Sequence, residues 1–124
     1  MRTDREAYKE IKGIFEDYAI FRVRAKNIAN CISDVRNDSS YTMIFDENEL
    51  IEARNNCISE IEKVNSALKS VNALDNRLYE LLKLVYLNGS NKNAMDQLNL
   101  SVAHYYRLKK QAINLFLDCY VTNA

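Results

Sequence analysis

Polar and basic side chains recur between residues 101 and 114 of this 124-residue chain. Arginine, lysine, glutamine and asparagine can form bidentate hydrogen bonds to guanine or adenine edges in a DNA major groove, and alanine can meet a thymine methyl group. No carboxylate occurs between Asp96 and Asp118, so no negative charge within this stretch opposes that chemistry. The candidate DNA-contacting residues are Ser101, Val102, Ala103, His104, Tyr106, Arg107, Lys109, Lys110, Gln111 and Asn114.

A helix must carry these residues, and apolar side chains among them predict it. The apolar positions recur at three- and four-residue spacing, which leaves the candidate set mostly on the other faces. They are Tyr105, Leu108, Ala112, Ile113 and Phe116. The alternative is a solvated amphipathic helix at the end of a bundle. Three positive charges on one helix often occur by chance, so they do not by themselves indicate DNA binding.

A sharp turn precedes this helix at Leu98-Asn99-Leu100-Ser101. Two helices joined by so few residues usually need a left-handed residue where the first one stops, and asparagine tolerates that conformation well. Ser101 can then cap the next helix by accepting a hydrogen bond from a free amide in its first turn. The pattern predicts a helix-turn-helix with Asn99 left-handed.

The run from Leu98 to Ala112 resembles the promoter-reading C-terminal helix-turn-helix of bacterial sigma factors. It is more similar to the ArpU/RinA-type regulators of phage late genes, and the likeness covers roughly Leu74 to Leu117. The resemblance implies that Tyr105, Leu108 and Ala112 hold the helix in place. It implies a groove-facing set of Val102, Ala103, His104, Tyr106, Arg107 and Lys110. The N-terminal half has no comparable match.

Composition favours an all-α protein of one domain. The chain has no proline, two glycines and 48% hydrophobic residues, whereas sheets of this size normally use more turn residues. No apolar run approaches the roughly 20 residues of a membrane span, and the charged start lacks a signal-peptide core. We therefore expect a cytoplasmic protein without a membrane partner.

Two long helices are predicted in the first part of the chain. Thr3 or Asp4 can cap one that ends near Arg36, and Asp46 with Glu49 reads as the capping box of the next. Their apolar seams predict a long antiparallel helical hairpin over residues 1–72. Residues 41–45, with four large apolar or aromatic side chains, are expected to form a loop folded back on the bundle. The seams fit either a simple core or a module for homodimerisation or RNA polymerase contact.

Residues 73–124 are predicted to form a three-helix helix-turn-helix unit that carries the DNA surface. Its first helix should run from about Asp75 to Leu87, with Gly89 as a left-handed stop. Ser90 or Asn91 can cap the short helix that leads to the turn.

Net charge is zero, which argues against a chain coated in positive potential. Residues 1–72 nevertheless carry 11 basic and 13 acidic side chains, a net charge of −2. Residues 73–124 carry 6 basic and 4 acidic ones, a net charge of +2. This asymmetry favours residues 73–124, the half that contains the turn, as the DNA-binding half.

Catalysis has little support in the sequence. His104 is the single histidine, and no glycine-rich phosphate loop or spaced nucleophile accompanies it. Cys31, Cys57 and Cys119 are widely spaced among apolar positions, as buried thiols are, whereas zinc ligands cluster at short spacing. We expect no enzyme, no metal and no cofactor.

The leading hypothesis is a sequence-specific, double-stranded DNA-binding transcriptional regulator of phage or prophage late genes. The alternative is a helical protein-interaction or structural module without DNA binding. Basic side chains open to solvent on the last helix favour the first hypothesis, and the same side chains paired to acids of the hairpin favour the second.

Overall fold

The described part of the chain contains α-helices and one π-helical turn, and no strand, which confirms the all-α prediction. A computed structural model describes residues 2–38 and 46–123, with the backbone alone for residues 121–123. The predicted loop of residues 41–45 lies outside the described residues. The elements are α1 (Asp4–Asn37), α2 (Glu47–Leu74), α3 (Asn76–Leu82), the π turn (Lys83–Leu87), α4 (Asn91–Leu98) and α5 (Val102–Asn123).

Side-chain caps explain where the two long helices begin. Thr3 Oγ1 accepts a hydrogen bond from the Glu6 amide at 3.1 Å, and Asp46 Oδ1 accepts one from the Asn48 amide at 2.9 Å. Each bond satisfies a donor that has no partner inside the helix. Both start sites were predicted, and α1 ends one residue beyond the predicted Arg36.

The helix predicted from Asp75 to Leu87 is α-helical in its first part only. Asp75 caps α3 by accepting from the Arg77 and Leu78 amides at 3.0 and 3.2 Å. The π turn follows, and the Asn88 amide donates to the Lys83 carbonyl at 3.0 Å, a bond that spans five residues. Gly89 then takes a φ of +93°, as expected of a left-handed stop.

Two compact units divide the chain at places that differ from the predicted boundary at residue 72. The core unit comprises residues 2–15 and 63–123, and the hairpin unit comprises residues 16–38 and 46–62. Helices α1 and α2 each contribute one part to either unit, so no single cut in the sequence can separate them. The division of function between residues 1–72 and 73–124 stays a prediction.

Aromatic rings from three elements meet inside the core unit. The Phe15 ring stacks on Tyr86 with 5.0 Å between centroids, and it lies 5.1 Å from the tilted Phe116 ring. Helix α3 packs against α5, and α4 contacts the π turn. The largest fully buried side chains are Tyr105, Phe116, Ile11, Leu81, Leu82, Ile113, Leu117 and Val71.

The hairpin unit is an antiparallel pair of helical segments. Arg36 near the end of α1 forms an ion pair with Glu47 at the start of α2, and farther from this end Phe21 lines a cavity together with Glu60. Later residues of α1 thus lie beside earlier residues of α2, so the two segments run in opposite directions. Its buried apolar side chains, among the described residues, are Tyr18, Ile32, Val35 and Cys57. Within this unit, the predicted antiparallel arrangement is observed.

Candidate nucleic-acid interface

The turn between α4 and α5 has the geometry that the sequence predicts. Asn99 is left-handed, with φ 55° and ψ 50°. Its amide donates to the Asp96 carbonyl at 3.3 Å, and the Leu100 amide donates to the Met95 carbonyl at 3.1 Å, which together make a Schellman motif. Ser101 Oγ accepts from the His104 amide at 3.3 Å and so caps α5. The left-handed Asn99 at the end of α4 and the Ser101 cap of α5 are therefore both as the sequence predicts.

Helix α5 has one buried face and one exposed face. All five residues predicted to pack it are buried: Tyr105, Leu108, Ala112, Ile113 and Phe116. Most of the candidate set is exposed, namely Ser101, Val102, Ala103, Tyr106, Arg107, Lys110, Gln111 and Asn114, and His104 is half-buried. We call these eight exposed residues the outer face of α5.

Lys109 is a correction to the predicted interface. Its side chain is only 6% exposed, so its placement on the outer face was wrong. Position 109 lies four residues after Tyr105 and three before Ala112, which puts it on the packed face. Its ammonium donates to Asn91 Oδ1 at 2.9 Å and lies 5.1 Å from the centre of the Tyr8 ring. Those contacts hold it inside, where it cannot read a base.

Asn91, the first residue of α4, joins α4 to α5. Its Oδ1 accepts hydrogen bonds from both the Tyr105 hydroxyl and the Lys109 ammonium. Sequence reasoning treated Asn91 only as a possible cap, and Ser90 takes that role by accepting from the Asn93 amide at 3.3 Å. These two hydrogen bonds link α4 to the packed face of α5 and help to position that helix.

The two cations left on the outer face differ in their surroundings. Arg107 is exposed and forms no ion pair or hydrogen bond with any described residue. Lys110 Nζ lies 3.1 Å from Asp4 Oδ2, and both side chains are more than half exposed. Exposed pairs of this kind stabilise a fold by about 0–1 kcal/mol, so Lys110 can exchange Asp4 for another anion.

Three tyrosines of the core unit have a raised pKa. Burial raises the pKa of Tyr105 above its ordinary value, and burial followed by the Asp4 carboxylate raises the pKa of Tyr8. Burial also raises the pKa of Tyr86 to about 12. Burial lowers the pKa of Lys109, because its charged form loses hydration that Asn91 replaces only in part.

Formal charge separates between the two units more sharply than it does along the sequence. The core unit carries 12 basic and 7 acidic side chains, and the hairpin unit carries 5 basic and 10 acidic ones. Their net charges are therefore +5 and −5, and they cancel in the neutral chain. Since nucleic acid is a polyanion, its approach to the core unit is electrostatically favoured.

Other kinds of site have little support in the described residues. All three cysteines are free, and no three His, Cys, Asp or Glu side chains in the described ranges gather to hold a metal ion. Cys57 is buried as predicted, whereas Cys31 and Cys119 are half-buried. None of the described helices combines the length and the apolar character that a membrane span requires.

Comparison with known protein families gives a match that covers most of the chain. Residues 25–117 match the family described as Protein of unknown function (DUF1492). The chain belongs to DUF1492. The matched segment of this DUF1492 chain contains the whole turn and the outer face of α5, and residues 1–24 lie outside it. No curated protein and no solved structure matches the chain significantly.

Proposed function

We propose that this protein is a sequence-specific regulator of transcription that inserts the start of α5 into the major groove of double-stranded DNA. One observation carries the proposal: a capped, left-handed turn leads directly into a helix whose outer face bears Arg107 and Lys110 and no carboxylate. In helix-turn-helix proteins the N-terminal residues of the second helix contact base edges.

Six of the eight side chains of the outer face suit particular contacts with DNA. Arg107 is free to make a bidentate contact with guanine, and Gln111 and Asn114 have the amide groups that suit adenine. Ala103 can meet a thymine methyl group. Lys110 and the Tyr106 hydroxyl are suited to phosphate oxygens, which position the protein without reading sequence.

The family supports a narrower proposal about biological context. DUF1492 is commonly found in phage proteins. Together with the resemblance to ArpU/RinA-type regulators, this supports a role in late-gene control of a phage or prophage. A homodimer and a contact with RNA polymerase stay predictions, and the net charge of −5 on the hairpin unit makes that unit less suited to DNA than to a protein partner.

Selection of bound duplexes from a random pool tests the proposal. The affinity of the wild-type protein and of its variants for the selected duplex is then measured at matched salt. Arg107→Ala should lose about 1–3 kcal/mol of discrimination at one base pair. Lys110→Ala should weaken all sequences alike and reduce the salt slope by about one unit. Lys69→Ala removes the same charge from an exposed position elsewhere in the core unit and should change affinity less than Lys110→Ala does. No enriched sequence, together with unchanged affinity in both α5 variants, would refute the assignment.

A protein-interaction module is the second candidate function, and the Lys110–Asp4 pair favours it. Pairing of an α5 cation with an acid of α1 is what a purely structural role for α5 would produce. Ile20 and Val23 in the hairpin unit are also 47% and 60% exposed, as at protein contacts. Failure of the duplex selection, with a helical chain that unfolds cooperatively, would favour this candidate.

A further inference from the structure

A basic groove of about 570 Å³ lies in the core unit, apart from the outer face of α5. Helix α1 lines one side of it, and residues of the π turn, the start of α4 and Lys109 line the other sides. Four of its lining residues are cationic, Arg5, Lys9, Lys12 and Lys109, and none is acidic. A groove of this volume is within the range that small ligands occupy.

Lys109 is the unusual member of this set. Lysine is almost never buried to this degree unless it is paired, and no described carboxylate forms an ion pair with it. An ammonium group has three donors, and the bond to Asn91 Oδ1 uses one of them. Tyr8 and Tyr106 present ring faces to the charge but accept no full hydrogen bond there. The buried cation therefore lacks an anionic partner within the described chain.

The α1 cations lie on the same side of that helix. Arg5, Lys9 and Lys12 are spaced by four and three residues, which places them one above another. Arg5 and Lys9 are exposed and form no ion pair with other described residues. Adjacent like charges on a helix repel one another, and an anion between them relieves that repulsion.

We propose that this groove binds a phosphate group, which Lys109 contacts from within and Arg5 and Lys9 contact from the rim. A phosphate provides several strong acceptors for the unused donors of Lys109, and the Arg5 guanidinium can bind two of its oxygens. The phosphate has two sources, the backbone of duplex DNA and a small phosphorylated molecule. The DNA source rests on the proposed function, whereas the small-molecule source does not.

Titration of the labelled full chain with inorganic phosphate, and then pyrophosphate, tests the small-molecule source by amide chemical shifts. Chloride at matched ionic strength is the reference. In the wild-type protein, shifts should saturate around residues 5–12 and 89–91. Lys109→Met, which keeps an apolar chain of similar length, should weaken the binding about tenfold or more. The double variant Arg5→Gln/Lys9→Gln should lose it, and Lys26→Gln, on α1 but outside the groove, should keep it.

Duplex affinity as a function of salt tests the DNA source with the same variants. If the groove holds backbone phosphates, the double variant should reduce the salt slope by about two units, because each neutralised phosphate contributes about 0.9. Its preference among sequences should stay unchanged, unlike that of Arg107→Ala. Thermal unfolding of every variant shows whether the fold is retained.

The outcomes distinguish failure of the groove proposal from failure of the proposed DNA-binding function. Loss of the phosphate-induced shifts in the double variant supports phosphate binding in the groove from a small molecule. A reduced salt slope in that variant supports binding of DNA backbone phosphates there. Normal DNA binding by folded double variants, with no saturable phosphate shifts in the wild-type protein, overturns the groove proposal and leaves the proposed function intact. If the wild-type protein binds no duplex, the proposed function fails, and the phosphate titration alone decides the groove.

Discussion

The core unit and the hairpin unit share the two long helices α1 and α2, yet they differ in burial and in charge. The core unit contains all of the largest fully buried side chains, whereas the described part of the hairpin unit buries four apolar residues. The core unit carries +5 and the hairpin unit −5. The largest buried side chains and the positive net charge are therefore concentrated in the core unit, whereas the hairpin unit has fewer buried apolar residues among those described and a negative net charge.

Truncation of a central ring should reveal this difference most strongly. Phe116→Ala removes a fully buried side chain that touches Phe15, and we expect a loss of about 3–5 kcal/mol in the free energy of unfolding. Phe21→Ala in the hairpin unit removes the same ring from a half-buried site and should cost less than half as much. Urea unfolding measures both, and equal losses would contradict the contrast between the units.

The turn at Asn99 gives the next largest effect. A β-branched residue is strained at φ 55°, so Asn99→Val should cost on the order of 1–2 kcal/mol. Asn99→Gly should be neutral or mildly stabilising, because glycine adopts that conformation without a steric penalty. Thermal unfolding of the two variants measures the difference, and equal stability would contradict a structural role for the left-handed turn.

Alkaline unfolding should report on the core unit through its tyrosines. An unfolded tyrosine loses its proton near pH 10, whereas folded Tyr86 keeps its own until about pH 12. The folded state then binds more protons than the unfolded state, so stability falls as pH rises between these values, by less than about 1.4 kcal/mol per pH unit for this residue.

Tyr86→Phe keeps the ring that stacks on Phe15 and removes this proton. The variant should match the wild-type protein near neutral pH and lose less stability above pH 10. Urea unfolding at a series of pH values measures the slope. An identical alkaline slope in both proteins would show that Tyr86 does not keep its proton longer when folded.

The smallest expected effect concerns the pair that holds Lys110. Asp4→Asn should change the free energy of unfolding by no more than about 1 kcal/mol, because the pair is exposed. It should raise DNA affinity more than Glu6→Gln, which removes the same charge from the same turn of α1 without releasing Lys110. Equal gains in DNA affinity in the two variants would mean that net charge alone raises the affinity and that the Asp4 pair does not keep Lys110 from DNA.

Local signals in the sequence predicted much of the fold and most of the exposed face of α5. Caps at Thr3, Asp46 and Ser101 and the left-handed Asn99 depend on a few neighbouring residues, so they could be identified without tertiary information. The burial of Tyr105 and its apolar partners followed from helical spacing.

Features that depend on distant segments were not predicted. Lys109 was placed among the candidate DNA-contacting residues, although its spacing from Tyr105 and Ala112 places it on the packed face. Its burial requires Asn91 and Tyr8, which lie far away in the sequence. The division into units likewise depends on how α1 and α2 are shared, and the groove depends on α1 lying beside Lys109. No periodicity within a single helix contains that information.

The π turn at Lys83–Leu87 has a consequence for the length of the chain. A turn closed by the bond from Asn88 to Lys83 holds one residue more than an α-helical turn. We expect loss of one residue here to convert the turn to ordinary α-helix with little rotation of α4 and α5, whereas the same loss inside α3 should turn every later side chain by about 100°. Leu87 is the most exposed of the five residues, so we expect this chain to tolerate its deletion better than a deletion inside α3.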